Sequence, residues 1–168
     1  ERFTVSIAVD NDGTLKGMKV DAVLDNGAYA AFPVSPALTV LLWKLYMPGA
    51  YDFKAFELNA KIVATNKGKI VPYRGPWANE TWMRERMLDV VAKELGISAA
   101  EIRLKNMIRE ENMPAAFLTG PTLDETMSVA KTLDRALEMV DFDQLEKDKA
   151  GAEARGHRLG LGISSYHE

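Results

Sequence analysis

The chain has 168 residues, of which 47% are hydrophobic and 27% charged, a composition typical of a globular domain rather than a disordered tail. Its 21 basic and 24 acidic side chains give a net charge of −3, which argues against nucleic-acid binding and attraction to an anionic membrane. The absence of cysteine excludes a disulfide framework, a thiolate zinc site and an iron–sulfur cluster held by these residues. No apolar run approaches the ~20 residues of a membrane helix, so we expect a soluble protein without membrane insertion.

The first third of the chain predicts strands. Residues 3–7 and 15–24 alternate in polarity and are separated by the turn sequence at residues 10–13, a pattern that predicts a β-hairpin. The apolar run at residues 37–46 predicts a buried helix. Residues 51–64 are rich in aromatic and β-branched side chains and predict a long strand, or two joined by a bend, that pairs with the hairpin.

The second half of the chain predicts helices. Asn79 is placed to cap the first of them, and Gly96 is placed to end it. Ser98 and Glu101 have the spacing of a capping box, which predicts a helix continuing to about Ile108. A third helix is predicted to begin at Thr126 or Ser128.

The chain ends in a charged stretch and an alternating one. Residues 144–155 predict a solvated helix, and residues 158–166 predict a final strand. The fold class is therefore predicted as α+β, with an antiparallel or mixed sheet formed by the hairpin and the long central strand and packed with three to four helices. No repeat or low-complexity linker divides residues 1–168, which predicts a single segment.

Most candidate chemical groups have a structural explanation. His157 and His167 lack a motif-spaced partner, and the acids at 141 and 143 lack the spacing of a calcium loop. The segment at residues 71–77 differs, because it places an arginine, a glycine and two large aromatic residues directly before a helix, where unpaired amide donors gather. This segment can present backbone N–H groups to a ligand, although a plain strand-to-helix connection remains the alternative.

Several short motifs, taken in order, resemble one enzyme family. The chain is similar to the molybdenum-cofactor-binding large subunit of the xanthine dehydrogenase, aldehyde oxidase and aerobic carbon monoxide dehydrogenase family. The similarity covers nearly the whole chain and would make it an internal fragment of a longer subunit. The motifs are residues 25–29, 65–66, 73–75, 95–96, 101–106, 133–137 and 160–162.

The resemblance implies a cytoplasmic oxidoreductase. It implies a molybdenum–molybdopterin cofactor in the intact subunit, with iron–sulfur and FAD groups on partner domains or subunits. The reaction would be hydroxylation of an aldehyde or heterocycle-like small molecule with oxygen from water, or carbon monoxide oxidation. The family's general base and pterin loops fall outside the matched motifs, so no catalytic residue is expected in this segment and the isolated chain is expected to be inactive.

The resemblance also assigns residues. The backbone amide of Arg74 would approach the molybdenum, with Arg74 and Gly75 binding the cofactor, and Tyr73, Pro76 and Trp77 would contribute to the substrate pocket. Copper-containing carbon monoxide dehydrogenases have a cysteine where this chain has Gly75, which argues against that reaction. The alternative function is a non-catalytic α+β interaction module.

Overall fold

The computed structural model describes residues 1–29, 34–69 and 77–166, with only the backbone of Trp77 described. The α+β class is confirmed, with five α-helices in this part of the chain where three to four were predicted. In chain order the elements are β1 (Arg2–Val9), β2 (Leu15–Asp25), α1 (Pro36–Tyr46), β3 (Ala55–Val63), α2 (Trp77–Leu95), α3 (Ala99–Asn106), a 3-10 turn (Glu110–Asn112), β4 (Ala115–Ala116), β5 (Thr122–Leu123), α4 (Val129–Glu138) and α5 (Phe142–Ala154).

The main sheet is mixed and has the order β1-β2-β3. Strands β1 and β2 form the predicted antiparallel hairpin, and β3 pairs with β2 in parallel. The predicted central strand begins later than expected, at Ala55, because Tyr51 makes an isolated bridge to Met107 instead of joining the sheet. Strands β4 and β5 form a separate small hairpin that the sequence reasoning missed.

The core lies between one face of the sheet and helices α1, α2 and α3. Val20 of β2 and Leu88 of α2 are fully buried, and Trp43 of α1 stacks edge-on against Phe3, with ring centroids 4.9 Å apart. Helix α1 was predicted to be buried, and this is wrong for its outer face, where Leu38 and Leu41 are 40% and 48% exposed. Only one stripe of a helix can face a single sheet, and Trp43 occupies that stripe.

Helix α2 begins at Trp77, so Asn79 lies inside the helix and the predicted N-cap is wrong. Proline lacks an N–H and has a helix-compatible φ, so a proline at position 76 of the sequence is compatible with a helix that begins directly after it. Gly96 ends α2 as predicted, with φ of +69°. In α3 the Ser98 Oγ accepts the Glu101 N–H at 3.0 Å, as one half of a capping box requires.

The last predicted strand is absent, and residues 157–166 form no regular element. Among the described residues no strand pairs with them, and side chains bind the backbone instead. The Ser165 N–H donates to Glu85 Oε2, and the Ser165 carbonyl accepts from Arg84 Nη2, both at 3.0 Å. Helices α4 and α5 agree with the predictions.

Within the described ranges, no helix has both the length and the apolar character that crossing a membrane requires.

Candidate functional site

The predicted site residues flank the described structure rather than lie within it. Tyr73, Arg74, Gly75 and Pro76 fall outside the described residues, and Trp77 is the first residue of α2. The roles assigned to them therefore stay predictions. The structure does describe both ends of their segment, which are the chain leaving β3 and the first turn of α2.

The parallel pairing of β2 and β3 brings two loops to one edge of the sheet. Asp25, the last residue of β2, is in register with Val63, the last residue of β3. Residues 26–29 and 64–69 therefore leave the sheet side by side. Loops at the carboxyl ends of parallel strands are the usual ligand-binding positions of open α/β sheets, and one parallel pair creates the same edge here.

A side-chain cluster joins these two loops, and we call it the Asp25 clasp (Asp25, Gly27, Thr65 and Lys67). The Thr65 hydroxyl lies 2.8 Å from both carboxylate oxygens of Asp25. The Gly27 N–H donates to Asp25 Oδ1 at 3.0 Å, and Lys67 Nζ lies 3.0 Å from Oδ2. One carboxylate thus receives hydrogen bonds from both loops.

The backbones of the two loops are also in direct contact. The Ala28 N–H donates to the Lys67 carbonyl at 3.0 Å, and the Asn26 N–H donates to the Val63 carbonyl at 2.9 Å. Gly27 has a φ of +76°, and a Cβ at this position would lie 2.6 Å from the Gly68 carbonyl oxygen. Only glycine fits there, because any side chain would push the two backbones apart.

The Asp25 carboxyl group is ionised at neutral pH. Hydrogen bonds from the Thr65 hydroxyl and the Gly27 N–H, followed by Lys67, lower the pKa of Asp25 to about 2. The group therefore acts as a hydrogen-bond acceptor over the physiological range.

Glu80, in the first turn of α2, has the opposite environment. Its side chain is 1% exposed, and neither carboxyl oxygen has a hydrogen-bond partner among the described residues. Burial raises the pKa of Glu80 to about 7, with the charge of Arg84 opposing the shift. A buried polar group left without a partner is costly, so Glu80 marks a place where the described part of the chain leaves a hydrogen-bonding requirement open.

We expect Glu80→Gln to remove a pH dependence of stability. The ordinary pKa of a glutamate is 4.5 and that of folded Glu80 is about 7, so between these values the folded protein keeps a proton that the unfolded chain has released. The free energy of unfolding of the wild type therefore falls as the pH rises through this window, by about 3 kcal/mol for this group. Glutamine does not ionise, so the free energy of unfolding of the variant, relative to that of the wild type, should rise by about 3 kcal/mol between about pH 4 and about pH 8.

Urea unfolding of both proteins at the two pH values measures this difference. Glu138→Gln, at an exposed position of α4, is the matched control and should show no such change. A Glu80→Gln difference that is constant with pH would contradict the assigned environment.

A buried ionic cluster that sequence reasoning missed joins α2, α3 and the end of the chain. Glu85 accepts from Arg84 Nε at 3.0 Å, from Arg103 Nε at 2.8 Å and from the Tyr51 hydroxyl at 3.1 Å. Arg103 also binds Asp89 at 2.9 Å, and burial raises the pKa of Tyr51. The sequence contains one signal for this cluster. Charged residues of α2 stand next to Met83 and Leu88, which lie on the stripe of the helix that faces inward.

A groove in another part of the described structure is separate from these residues. It has a volume of about 640 Å³ and runs between α4, the start of α5 and residues 161–166, so none of the predicted site residues lines it. In residues 1–29, 34–69 and 77–166, no group of three or more histidine, aspartate or glutamate side chains has an arrangement that could hold a metal ion. The described residues thus offer hydrogen bonds and backbone shape rather than metal ligands.

Comparison with known proteins identifies the family. Residues 1–107 match the molybdopterin cofactor-binding domain family, so the chain belongs to it and the resemblance predicted from the motifs is confirmed. The matched region contains both loops of the Asp25 clasp, the segment at residues 70–76 and helices α2 and α3.

Individual relatives agree with this family. The chain is 32% identical to the nicotine 6-hydroxylase large subunit of Paenarthrobacter nicotinovorans, over 100% of this chain and 21% of that protein. It is 30% identical to the carbon monoxide dehydrogenase large chain of Hydrogenophaga pseudoflava, over 96% of this chain and 21% of the relative. Among solved structures, quinoline 2-oxidoreductase from Pseudomonas putida 86 aligns with a TM-score of 0.83 and 30% identity, over 90% of this chain and 19% of that one. The chain thus spans about a fifth of the length of these relatives.

The described residues are compatible with the cofactor that the family binds. Molybdopterin carries hydrogen-bonding ring groups and an anionic phosphate, which backbone N–H groups and a helix N-terminus can accommodate. At the edge formed by β2 and β3, the two loops approach so closely at Gly27 that no side chain fits there. Helix α2 comes later in the sequence, and its first turn contains Glu80, whose carboxyl oxygens have no partner among the described residues. The described part contains no thiolate and no cluster of metal-ligating side chains.

Proposed function

We propose that this chain is a segment of the cofactor-binding polypeptide of a molybdenum hydroxylase, an oxidoreductase. The observation that carries the proposal is the family match over residues 1–107. The segment 70–76, which carries the residues assigned by resemblance, lies inside the matched region, between β3 and α2.

In this proposal the segment from Tyr73 to Trp77 forms the cofactor-facing part of the chain. The backbone amide of Arg74 approaches the molybdenum, and Arg74 and Gly75 contact the cofactor. Tyr73, Pro76 and Trp77 line the substrate pocket. The start of α2 at Trp77 supports this arrangement, because the first amides of a helix lack partners within the helix and can hydrogen-bond a ligand.

The bound cofactor would supply the redox chemistry, accepting electrons from the substrate while the added oxygen comes from water. This chain's residues would bind and orient the cofactor and exclude bulk water beside it. Electrons would pass to iron–sulfur and flavin groups on partner domains or subunits. The names of two relatives include the words large subunit and large chain, which supports an assembly of several subunits. We place this assembly in the cytoplasm.

The substrate we favour is an aldehyde or a nitrogen heterocycle. The names of two similar proteins, nicotine 6-hydroxylase and quinoline 2-oxidoreductase, refer to heterocyclic compounds. The chain has no cysteine, and Gly75 stands where a copper-bridging cysteine would be required. We therefore expect no copper-dependent carbon monoxide oxidation.

The test uses the full-length polypeptide purified with its co-purifying subunits. We expect about one molybdenum per polypeptide by elemental mass spectrometry, and reduction of an artificial electron acceptor with a heterocycle or an aldehyde. A full-length polypeptide that folds but holds no molybdenum would overturn the proposal in favour of the non-catalytic interaction module.

We expect the 168-residue chain by itself to bind neither molybdenum cofactor nor copper. It offers one part of a site built from several segments, and its described residues contain no metal-binding cluster. Elemental analysis of extensively dialysed chain should give molybdenum and copper far below stoichiometry. Stoichiometric metal after dialysis would contradict this expectation.

A further inference from the structure

The Asp25 clasp lies at the end of the β2–β3 ladder, beyond which strand pairing no longer connects the two loops. The β2–β3 ladder ends with the pair Asp25 and Val63, and beyond it the chain continues through residues 64–69 towards the segment 70–76. The contacts described beyond this pair are the clasp itself and the hydrogen bonds from Ala28 to the Lys67 carbonyl and from Asn26 to the Val63 carbonyl. Beyond the ladder, the position of residues 64–69 therefore depends on these contacts rather than on strand pairing.

Within the clasp, the Thr65 hydroxyl is exposed but makes the shorter of the two side-chain contacts that cross between the loops. It binds a carboxylate whose side chain is only 17% exposed, and hydrogen bonds to charged acceptors are stronger than neutral ones. Lys67 also reaches Asp25, but its side chain is 75% exposed, and exposed ion pairs contribute little. The Gly27 N–H contact lies within a single loop and cannot connect the two.

We propose that Thr65 and Asp25 are positioning residues that fix the direction in which the chain leaves β3 towards the cofactor-facing segment. Neither residue is assigned to touch the cofactor, so they act through the backbone that they hold. The inference rests on the proposed function, because it concerns the geometry of that same site.

The close packing at Gly27 is the reason why loss of the Thr65–Asp25 hydrogen bond is expected to affect the neighbouring backbone. The two backbones touch so closely that a Cβ at Gly27 would lie 2.7 Å from the Lys67 carbonyl oxygen. Separation of the loops would also lengthen the hydrogen bond from the Ala28 N–H to the same carbonyl. We therefore expect the backbone contact to weaken when the Thr65–Asp25 contact is lost.

The test compares Thr65→Val with Thr65→Ser in the full-length polypeptide with its partner subunits. Valine keeps the branched shape and removes the hydroxyl, whereas serine keeps the hydroxyl. We expect Thr65→Val to lower kcat about tenfold at unchanged molybdenum content, with a changed electron paramagnetic resonance signal of Mo(V), and Thr65→Ser to restore both. Thr4→Val, on the exposed face of β1, is the matched control and should behave as the wild type.

A second readout does not depend on the cofactor. Hydrogen exchange measured by mass spectrometry on peptides covering residues 26–29 should be faster in Thr65→Val than in the wild type and in Thr65→Ser. Unchanged hydrogen exchange in Thr65→Val would show that the Thr65–Asp25 contact does not hold the two loops together. This outcome can be read even in a protein without molybdenum. Faster exchange with a normal Mo(V) signal and normal kcat would overturn the positioning role. A wild type without molybdenum would instead reject the proposed function, and the two failures are thereby distinguishable.

Discussion

Replacing Glu85 by alanine is expected to lower the free energy of unfolding by about 3–5 kcal/mol, because the change leaves buried charges without their partner. Glu85 lies between Arg84 and Arg103, whose side chains are 2% and 0% exposed. It also accepts hydrogen bonds from the Tyr51 hydroxyl and the Ser165 N–H. The substitution therefore weakens the contacts among α2, α3 and the segment that follows α5.

The measurement is urea unfolding followed by circular dichroism, with Glu138→Ala as the control. Glu138 makes an exposed ion pair with Arg135 on α4, and its loss should change the free energy of unfolding by less than about 0.5 kcal/mol. Glu85→Gln keeps the shape of the side chain and two hydrogen-bonding groups. Its effect on the free energy of unfolding should lie between those of Glu85→Ala and Glu138→Ala. Equal effects of Glu85→Ala and Glu138→Ala would show that the cluster does not stabilise the fold.

Gly75→Val in the full-length enzyme is expected to reduce turnover about 100-fold while leaving the fold in place. A residue before proline is pushed out of the α region, and only glycine can also adopt a positive φ without a side-chain clash. Forcing valine into such a conformation costs about 1–3 kcal/mol, which is small for a large subunit. A displacement of about 1 Å in the neighbouring amides is enough for a loss of this size.

Turnover per bound molybdenum, measured together with thermal stability, checks this expectation. Gly160→Val is the control, because a Cβ at Gly160 meets nothing within 4 Å and that glycine has no assigned role. If Gly75 were only a turn residue, the variant would lose some stability and keep a normal rate per molybdenum. That outcome would remove Gly75 from the cofactor site.

The local patterns predicted most of the fold. Alternation predicted the hairpin and β3, and helix periodicity with the Gly96 and Ser98 signals located α2 and α3. The final strand was wrong because alternation does not show whether a partner strand exists. Residues 158–166 alternate, yet Arg84 and Glu85 bind the backbone of Ser165 where a ladder was expected.

The candidate site was predicted only in part, for a related reason. Motif order indicated the family and the segment at residues 73–77, because those signals are local in sequence. The Asp25 clasp joins residues 40 apart in the chain, and its contact depends on the parallel register of β2 and β3. The buried cluster around Glu85 likewise joins four segments of the chain, at Tyr51, in α2, in α3 and at Ser165. The sequence marks only its α2 part, through charges beside Met83 and Leu88.

The position of molybdenum in a crystal structure of the intact enzyme tests the central claim most directly, through anomalous diffraction recorded at the molybdenum absorption edge. The account predicts a single strong peak beside the segment from Tyr73 to Trp77, at the edge of the sheet where β2 and β3 end. A peak beside the groove between α4 and residues 161–166, or one remote from this chain, would contradict it.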